Sequence, residues 1–265
     1  MATIRAVVFD LGHTLWDFAP REDARRLTAL RLHERLAAAL GSDVPPPAAL
    51  DRALNATVAR WRESWNSDRL EQPPSERLVS EALATLELAP DDDLLRELTR
   101  IFLAVEVDMP VIEPDTLAAI AQLDERGLAM GCVTNTILLE DGVFDLLDRL
   151  GLLRYLRAVV ASSAMSYRKP HPSLFQRALR ELGVTPEESV FVGDRLVDDV
   201  GGAQQIGMRA VLTHQYRQEP LDGSTTSPDA VVRRRPIDRP PPRTLAGHST
   251  AHRRPALPIA RPVGL

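Results

Sequence analysis

The stretch Val7-Val8-Phe9-Asp10-Leu11-Gly12-His13-Thr14-Leu15 decides the fold of this chain. Apolar residues with a preference for strands end in an acid, and a small-residue turn and a threonine follow. This pattern is typical of a buried parallel strand that places a carboxylate at its C-terminal edge. Ligands of open α/β sheets bind at that edge. We therefore expect Asp10 to lie in the functional site.

Strand and helix patterns alternate along the second half of the chain. Apolar runs that end at turns predict strands, and amphipathic segments closed by glycine predict helices. Repeated β-then-α units imply a parallel, doubly wound sheet with right-handed crossovers, so the predicted fold class is α/β. The predicted elements are, in order, helix 114–126, strand 128–133, helix 141–150, strand 158–161, helix 172–182, strand 189–192, helix 200–206 and strand 209–212.

Residues 17–109 carry almost no strand pattern. Four amphipathic helices are predicted there, at 27–40, 50–65, 75–88 and 91–105, and prolines separate them. Helices of this length form a small bundle. We therefore predict an α/β core made of residues 1–16 and 110–232, with residues 17–109 inserted as a helical cap.

The last 33 residues differ from the rest in composition. Residues 233–265 contain eight arginines, one acid and seven prolines, and their apolar residues show no period. We predict that this segment is disordered. The formal charge of −5 divides into +7 on this tail and −12 on residues 1–232. An acidic folded part argues against a nucleic-acid-binding surface.

The single cysteine, Cys132, lies in the apolar run 128–133 and is expected to be a buried strand residue. One cysteine allows no intrachain disulfide, which favours a reducing compartment. No segment approaches 18 consecutive apolar residues, and the N-terminus reaches Asp10 too early for a removable signal peptide. We expect a cytoplasmic protein without a membrane-spanning segment; the sequence does not determine its oligomeric state.

Polar residues follow four of the predicted strands. They are Asp10, Thr134-Asn135, the turn Arg168-Lys169-Pro170, and Gly193-Asp194 with Asp198-Asp199. Each group alone is compatible with ordinary helix capping or turn chemistry. Two anionic groups and one cationic group at the same edge of one sheet are harder to explain as caps. Lys169 is also the only lysine among 32 basic residues, and a compact ammonium suits a crowded site that faces an oxygen.

These motifs, in this order and spacing, resemble those of the haloacid dehalogenase (HAD) superfamily. The resemblance covers residues 4 to about 232. The helical insertion resembles the cap of the subgroup that includes phosphoglycolate-phosphatase-like enzymes. The resemblance implies a Rossmann-like core and a Mg²⁺-dependent hydrolase that acts on a small phosphorylated metabolite.

Carried over position by position, the resemblance implies a role for each motif. Asp10 would be the nucleophile that forms an aspartyl-phosphate. Thr134 and Asn135 would hold the phosphoryl oxygens, and Lys169 would neutralise their charge. The Mg²⁺ ligands would be Asp10, Gly12 through its carbonyl, Asp194 and Asp199, with Asp198 an alternative to Asp199. Oxygen ligands of this kind suit a hard cation.

Gly12 departs from the pattern of the phosphatases in this family. They carry an aspartate two residues after the nucleophile, and its side chain protonates the leaving group and then activates water. Loss of a general acid/base typically costs about 10² to 10⁴ in rate. Three explanations stay open: His13 or Asp17 substitutes, the substrate has a good leaving group such as an acyl or aryl phosphate, or the protein binds a phosphorylated ligand without turnover. A dehalogenase is disfavoured, because the Gly193-Asp194 motif indicates Mg²⁺ chemistry.

The predicted cap would control the choice of substrate, since a lid over the strand ends excludes water and contacts the non-reacting part of the substrate. Trp61, Arg62 and Trp65 are candidate contacts. The two tryptophans lie four residues apart on one helix face, so packing within the bundle is the favoured interpretation.

Overall fold

The structure is a computed structural model that describes residues 2–19, 24–65, 69–221 and 225–233. Its strands are, in chain order, β1 (Ala6–Phe9), β2 (Asp17–Phe18), β3 (Pro110–Val111), β4 (Ala129–Thr134), β5 (Ala158–Ala161), β6 (Ser189–Gly193), β7 (Arg209–His214) and β8 (Ala230–Arg233). Its α-helices are α1 (Ala24–Leu40), α2 (Pro47–Trp65), α3 (Ser75–Ala84), α4 (Asp92–Asp108), α5 (Pro114–Glu125), α6 (Glu140–Arg149), α7 (Pro172–Leu182) and α8 (Gly202–Gln205).

Six strands form one parallel sheet in the order β5-β4-β1-β6-β7-β8. The chain builds outward from β1 to β4 and β5 on one side, and then continues with β6, β7 and β8 on the other. Strand order therefore reverses at β1, and ligands of doubly wound sheets bind in the crevice at this switch point. The predicted α/β class with a doubly wound parallel sheet is confirmed.

The sheet is covered by apolar side chains on both faces, as parallel sheets require. Successive residues of a strand point to opposite faces. Val7 and Phe9 accordingly pack in one cluster with Cys132, whereas Val8 packs in a second cluster with Phe191. All four residues of β1 are buried, so the strand that precedes Asp10 is fixed from both sides.

Helices α1 to α4 lie between β2 and β3 in the chain and share a third apolar cluster. Leu36, Leu50 and Leu98 are fully buried within it. β2 and β3 pair with each other antiparallel, so the two segments that connect the helices to the core run side by side. The predicted boundaries between core and cap, at residues 16/17 and 109/110, fall at this two-stranded sheet. The sheet itself was not predicted from the sequence. The division into a core and a cap stays a prediction.

Two predicted helices end or begin differently in the structure. The helix expected over 75–88 ends at Ala84, because the chain turns at Glu87 with a φ of 59° and the Leu88 N–H donates to the Leu83 carbonyl at 3.1 Å. This 6→1 bond closes the helix end. The helix expected at 200–206 begins earlier, as a π-helical turn over Leu196–Gly201 that leads into α8.

Strand β8 was not predicted. Its four residues are exposed and, within the described ranges, pair only with β7. The run Ala230-Val231-Val232 is apolar but too short to distinguish a strand from a loop by its pattern. Arg233, the first residue of the predicted tail, ends β8. The remaining residues of the tail, 234–265, lie outside the described residues. Within the described ranges, no helix has the length and apolar character needed to cross a bilayer.

Candidate active site

Asp10 lies at the switch point of the sheet, one residue beyond β1. Its N–H donates to the Val192 carbonyl at 2.8 Å, which extends the pairing of β1 with β6 by one bond. Its carboxylate accepts a hydrogen bond from the Thr14 hydroxyl at 3.0 Å on Oδ2. Asp10 is only 7% exposed. A buried carboxylate needs compensating partners, and Thr14 supplies one of them.

Lys169 supplies the second compensating group. Its Nζ lies 2.6 Å from Asp10 Oδ1 and 2.6 Å from Asp199 Oδ1, and the side chain is 2% exposed. Burial alone would lower the pKa of Lys169, but the two carboxylates outweigh burial and raise the pKa above its ordinary value. Lys169 is therefore a fixed positive charge shared between two acids.

Asn135 holds the backbone of Lys169 in place. Asn135 Oδ1 accepts from the Lys169 N–H at 2.7 Å, and Asn135 Nδ2 donates to the Lys169 carbonyl at 3.2 Å. The same turn is tied to the helical region, since the Arg168 N–H donates to the Leu70 carbonyl at 2.9 Å and Gln72 N–H to the Ser166 carbonyl at 2.8 Å. The turn that carries the lysine is thus braced from the end of β4 and from the chain before α3.

Asp194 and Asp199 complete a cluster of acids with Asp10. Carboxylate oxygens of the three residues lie within 4.8 Å of one another, and all three side chains are buried. The backbone at Gly193 allows this arrangement, because a Cβ there would come within 2.4 Å of the Asp199 carboxylate. The π-helical turn also contributes: the Arg195 N–H donates to Asp199 Oδ2 at 2.9 Å, and the wider turn directs Asp199 back toward Lys169.

Asp198 does not join this cluster. It is paired with Arg195 at 3.1 Å and is not among the three acids whose carboxylate oxygens lie together. Of the two adjacent aspartates that the sequence left open, Asp199 is therefore the one that the structure places beside Asp10 and Asp194.

The electrostatics of the three acids favour a bound cation. Burial raises the pKa of Asp194 to about 7, and the neighbouring carboxylates of Asp10 and Asp199 add to the effect. Burial likewise raises the pKa of Asp199 to about 6, although Lys169 opposes it. A divalent cation between these oxygens would remove the repulsion that raises both values. The donor set, with oxygen atoms alone, fits Mg²⁺.

Arg217 is a residue of the site that the sequence did not indicate. Its Nη1 lies 2.9 Å from Asp194 Oδ2. The residue stands in the irregular segment after β7, outside every motif, and the chain contains 31 arginines. Nothing in the sequence distinguishes this arginine from the others, so only the fold reveals it.

Two residues considered as substitutes for the missing acid face each other. His13 Nδ1 lies 3.3 Å from Asp17 Oδ1. Burial, together with the positive charge of Arg217, lowers the pKa of His13 below its ordinary value. A general acid must carry a proton before the reaction, and a lowered pKa disfavours that form. The structure thus gives no support to His13 as the leaving-group acid.

A cavity of about 170 Å³ separates the strand ends from the helical region. Gly12, Thr134 and Asn135 line its polar end, and Trp16, Phe18 and Trp61 are among its apolar walls. Trp61 also packs in the cluster of the helical region, as expected, and its indole N–H donates to Glu81 at 3.1 Å. Arg62 reaches the same cavity, whereas the side chain of Trp65 lies outside the described residues.

The site residues and the fold together define a class of hydrolase. Residues 4–207 match the sequence profile of the haloacid dehalogenase-like hydrolases. This chain belongs to that family, as predicted.

Relatives and solved structures agree with this assignment. The chain is 29% identical over 225 residues to a glyceraldehyde 3-phosphate phosphatase of Methanopyrus kandleri, covering 83% of this chain and 88% of the relative. It is 29% identical over 228 residues to a phosphoglycolate phosphatase of Salmonella paratyphi A, covering 82% and 84%. Its fold is similar to that of the 2-haloacid dehalogenase from Pseudomonas syringae pv. tomato, with a TM-score of 0.59, 25% identity, and coverage of 87% and 94%.

Proposed function

We propose that the chain is a Mg²⁺-dependent phosphatase that hydrolyses a small phosphorylated metabolite through an aspartyl-phosphate on Asp10. The buried cluster of Asp10, Asp194 and Asp199, bridged by Lys169, carries the proposal. A buried cluster that combines three acids with one lysine suits a metal and a phosphate together, because each cation offsets the negative charge of the acids and of the phosphate. The phosphatase names of two relatives support the same reaction class.

Asp10 is positioned to attack phosphorus. The Thr14 hydroxyl and the Lys169 ammonium orient the two carboxylate oxygens, so the nucleophile is held in one rotamer before substrate binds. Preorganisation of this kind lowers the entropic part of the barrier. Attack forms the bond between a carboxylate oxygen and phosphorus as the bond from phosphorus to the leaving oxygen breaks. Water then attacks the aspartyl-phosphate and releases inorganic phosphate.

Thr134 and Asn135 are assigned to the phosphoryl oxygens, since both line the cavity beside Gly12. Lys169 neutralises charge that develops on the same oxygens. Asp10, the Gly12 carbonyl, Asp194 and Asp199 would hold the Mg²⁺. When bound, the ion supplies charge stabilisation for the transferring phosphoryl group. The cytoplasmic location inferred from the single cysteine stays a prediction.

The proposal is tested by hydrolysis of p-nitrophenyl phosphate and a panel of phosphorylated metabolites with and without Mg²⁺. We expect the rate to fall by about 10²-fold or more when EDTA removes the metal, and to return when Mg²⁺ is added, because the ion offsets several kcal/mol of transition-state charge. Chloride release from 2-chloropropionate serves as the dehalogenase control and should stay at background. Hydrolysis that is indifferent to EDTA, or no Mg²⁺-dependent hydrolysis of any phosphate ester, would contradict the proposal.

The substitution Gly12→Asp tests whether the missing acid limits turnover. The backbone can accept a side chain here, since Gly12 has no positive φ and the nearest atoms to a Cβ would be those of the Phe18 ring, at 3.2 Å, followed by Trp16 Nε1 at 3.9 Å. Phe18 is 37% exposed and has room to shift. We expect kcat/KM for alkyl phosphates to rise by about 10²-fold, and kcat/KM for aryl phosphates to change much less, because this ratio reports departure of the leaving group and aryl leaving groups need little protonation.

Gly12→Asn is the matched control, because it adds the same bulk without an acid. It should not raise the rate on either class of ester. An equal change for alkyl and aryl phosphates in Gly12→Asp, or a loss on both, would show that a missing acid is not the limitation.

A further inference from the structure

The indole N–H of Trp16 has no hydrogen-bond partner among the described residues, although Trp16 is 3% exposed. A buried donor without an acceptor costs free energy, and native proteins rarely keep one without a reason. Trp16 belongs to the segment that follows the nucleophile and lines the cavity next to Gly12. The donor therefore lies within the active site described above.

A tight turn fixes the position of this donor. Gly12 and Trp16 form a bridge, and the His13 N–H donates to the Trp16 carbonyl at 2.8 Å. His13 adopts a φ of 59° to make this turn. As a result, Trp16 Nε1 lies 3.9 Å from the point where a Cβ on Gly12 would stand. The donor thus lies next to Gly12, two residues after Asp10, and the exposed Phe18 ring approaches the same point at 3.2 Å.

The walls of the cavity indicate what occupies that space. Most of the side chains that line it are apolar, Trp16, Phe18, Trp61 and Leu78 among them, and Arg62 and Glu106 are the charged ones. An apolar, planar group would bury its surface favourably against these walls. The phosphate end of such a ligand would meet Thr134 and Asn135, which line the same cavity.

We propose that Trp16 Nε1–H donates a hydrogen bond to the bridging oxygen of the substrate, and that the enzyme acts on aryl or acyl phosphates. This inference rests on the proposed phosphatase function. As the bond from phosphorus to oxygen breaks, its electron pair stays on the leaving oxygen, whose growing negative charge the N–H stabilises. The indole keeps its proton. The released anion takes a proton from water. The enzyme therefore hydrolyses efficiently only those esters whose leaving groups depart as stable anions.

The first test compares Trp16→Phe with the wild type on aryl phosphates whose leaving phenols range from weakly to strongly acidic. Removal of one preorganised donor typically costs about 10²-fold. We expect that loss in kcat/KM for phenyl phosphate and a much smaller loss for 2,4-dinitrophenyl phosphate, so the dependence of kcat/KM on leaving-group acidity becomes steeper. The ratio kcat/KM is used because it reports the step in which the leaving group departs. Trp61→Phe removes an N–H from the same cavity wall that is already bonded to Glu81. Because Trp61 lines the cavity, this change alters KM, but it should leave the dependence on leaving-group acidity as in the wild type.

A second measurement does not require Trp16→Phe to fold. In Asp10→Asn, where turnover is blocked, the indole ¹⁵N–¹H spectrum follows the donor directly, and the three tryptophans of the chain are assigned with Trp61→Phe and Trp65→Phe. Phenyl phosphate with Mg²⁺ should move the Trp16 signal downfield. Benzylphosphonate, in which a methylene replaces the bridging oxygen, should not.

The possible outcomes separate the two proposals. A wild type that hydrolyses no phosphate ester overturns both. An active wild type whose leaving-group dependence is unchanged by Trp16→Phe, or a Trp16 signal that responds equally to phenyl phosphate and benzylphosphonate, overturns the assignment of Trp16 alone.

Discussion

Hydrolysis of p-nitrophenyl phosphate by Asp10→Asn is expected to fall by about 10⁴-fold or more, because an amide cannot form the covalent intermediate that divides the reaction into two easier steps. The substitution keeps the shape of the side chain, and Thr14 can still donate to the remaining oxygen. The measurement is kcat in saturating Mg²⁺, with the melting temperature recorded in parallel.

Asp198→Asn is the matched control for this experiment. Asp198 lies in the same sequence motif as Asp199 but pairs with Arg195 and is not one of the clustered acids, so its substitution should change kcat by less than about threefold. An Asp10→Asn protein that retains activity would show that another residue is the nucleophile, and the proposed mechanism would be wrong.

The second large effect is expected for Lys169→Met. This substitution leaves Asp10 and Asp199 buried without their shared cation, and breaking a buried ion pair typically costs about 3–5 kcal/mol of unfolding free energy. We expect a loss of that size without metal at pH 8, measured by urea unfolding. Activity should also be lost, because nothing replaces the positive charge on the phosphoryl oxygens.

The control for this experiment is the dependence of the stability loss in Lys169→Met on pH and on Mg²⁺. Burial and like charges raise the pKa of Asp194 to about 7 and of Asp199 to about 6 in the folded protein. An acid with a raised folded pKa destabilises the fold as pH rises through that value. The stability deficit of Lys169→Met should therefore shrink from pH 8 to pH 5, where both acids bind protons. Mg²⁺ should also reduce it. A deficit independent of both would indicate that packing, not charge, is the role of Lys169.

The sheet and its catalytic edge could be predicted from the sequence, because buried parallel strands leave continuous apolar runs and their ends fix where polar residues meet. The runs before Asp10, Asn135 and Asp194 are of this kind. The boundaries of α3 and the π-helical turn at Leu196 could not be predicted, since both depend on local hydrogen bonds to the backbone or to Asp199 that have no periodic signature.

Site residues that belong to motifs at the ends of strands could be predicted from the sequence. Site residues from other segments of the chain could not. Arg217 reaches Asp194 from a segment that has no pattern. The significance of Trp16 depends on its indole N–H, which has no hydrogen-bond partner among the described residues. Hydrogen-bond partners of this kind can be identified only from the fold, so the sequence did not indicate this residue. The sequence also could not show whether Asp198 or Asp199 joins the acid cluster, because this depends on the conformation of the turn after β6.

The brace between the segment 69–72 and the turn of residues 166–168 includes backbone hydrogen bonds at Gln72 and Arg168 and a bond from the Arg168 guanidinium to the Arg69 carbonyl. The lysine that follows this turn is the only lysine of the chain. An amine-directed acylating reagent can therefore modify only one side chain of this protein, and in the folded protein that side chain is 2% exposed. Acylation of Lys169, read by mass spectrometry of a single peptide, would count the molecules whose catalytic centre has opened. The rate of this acylation therefore reports how often the active site of the unmodified protein becomes exposed.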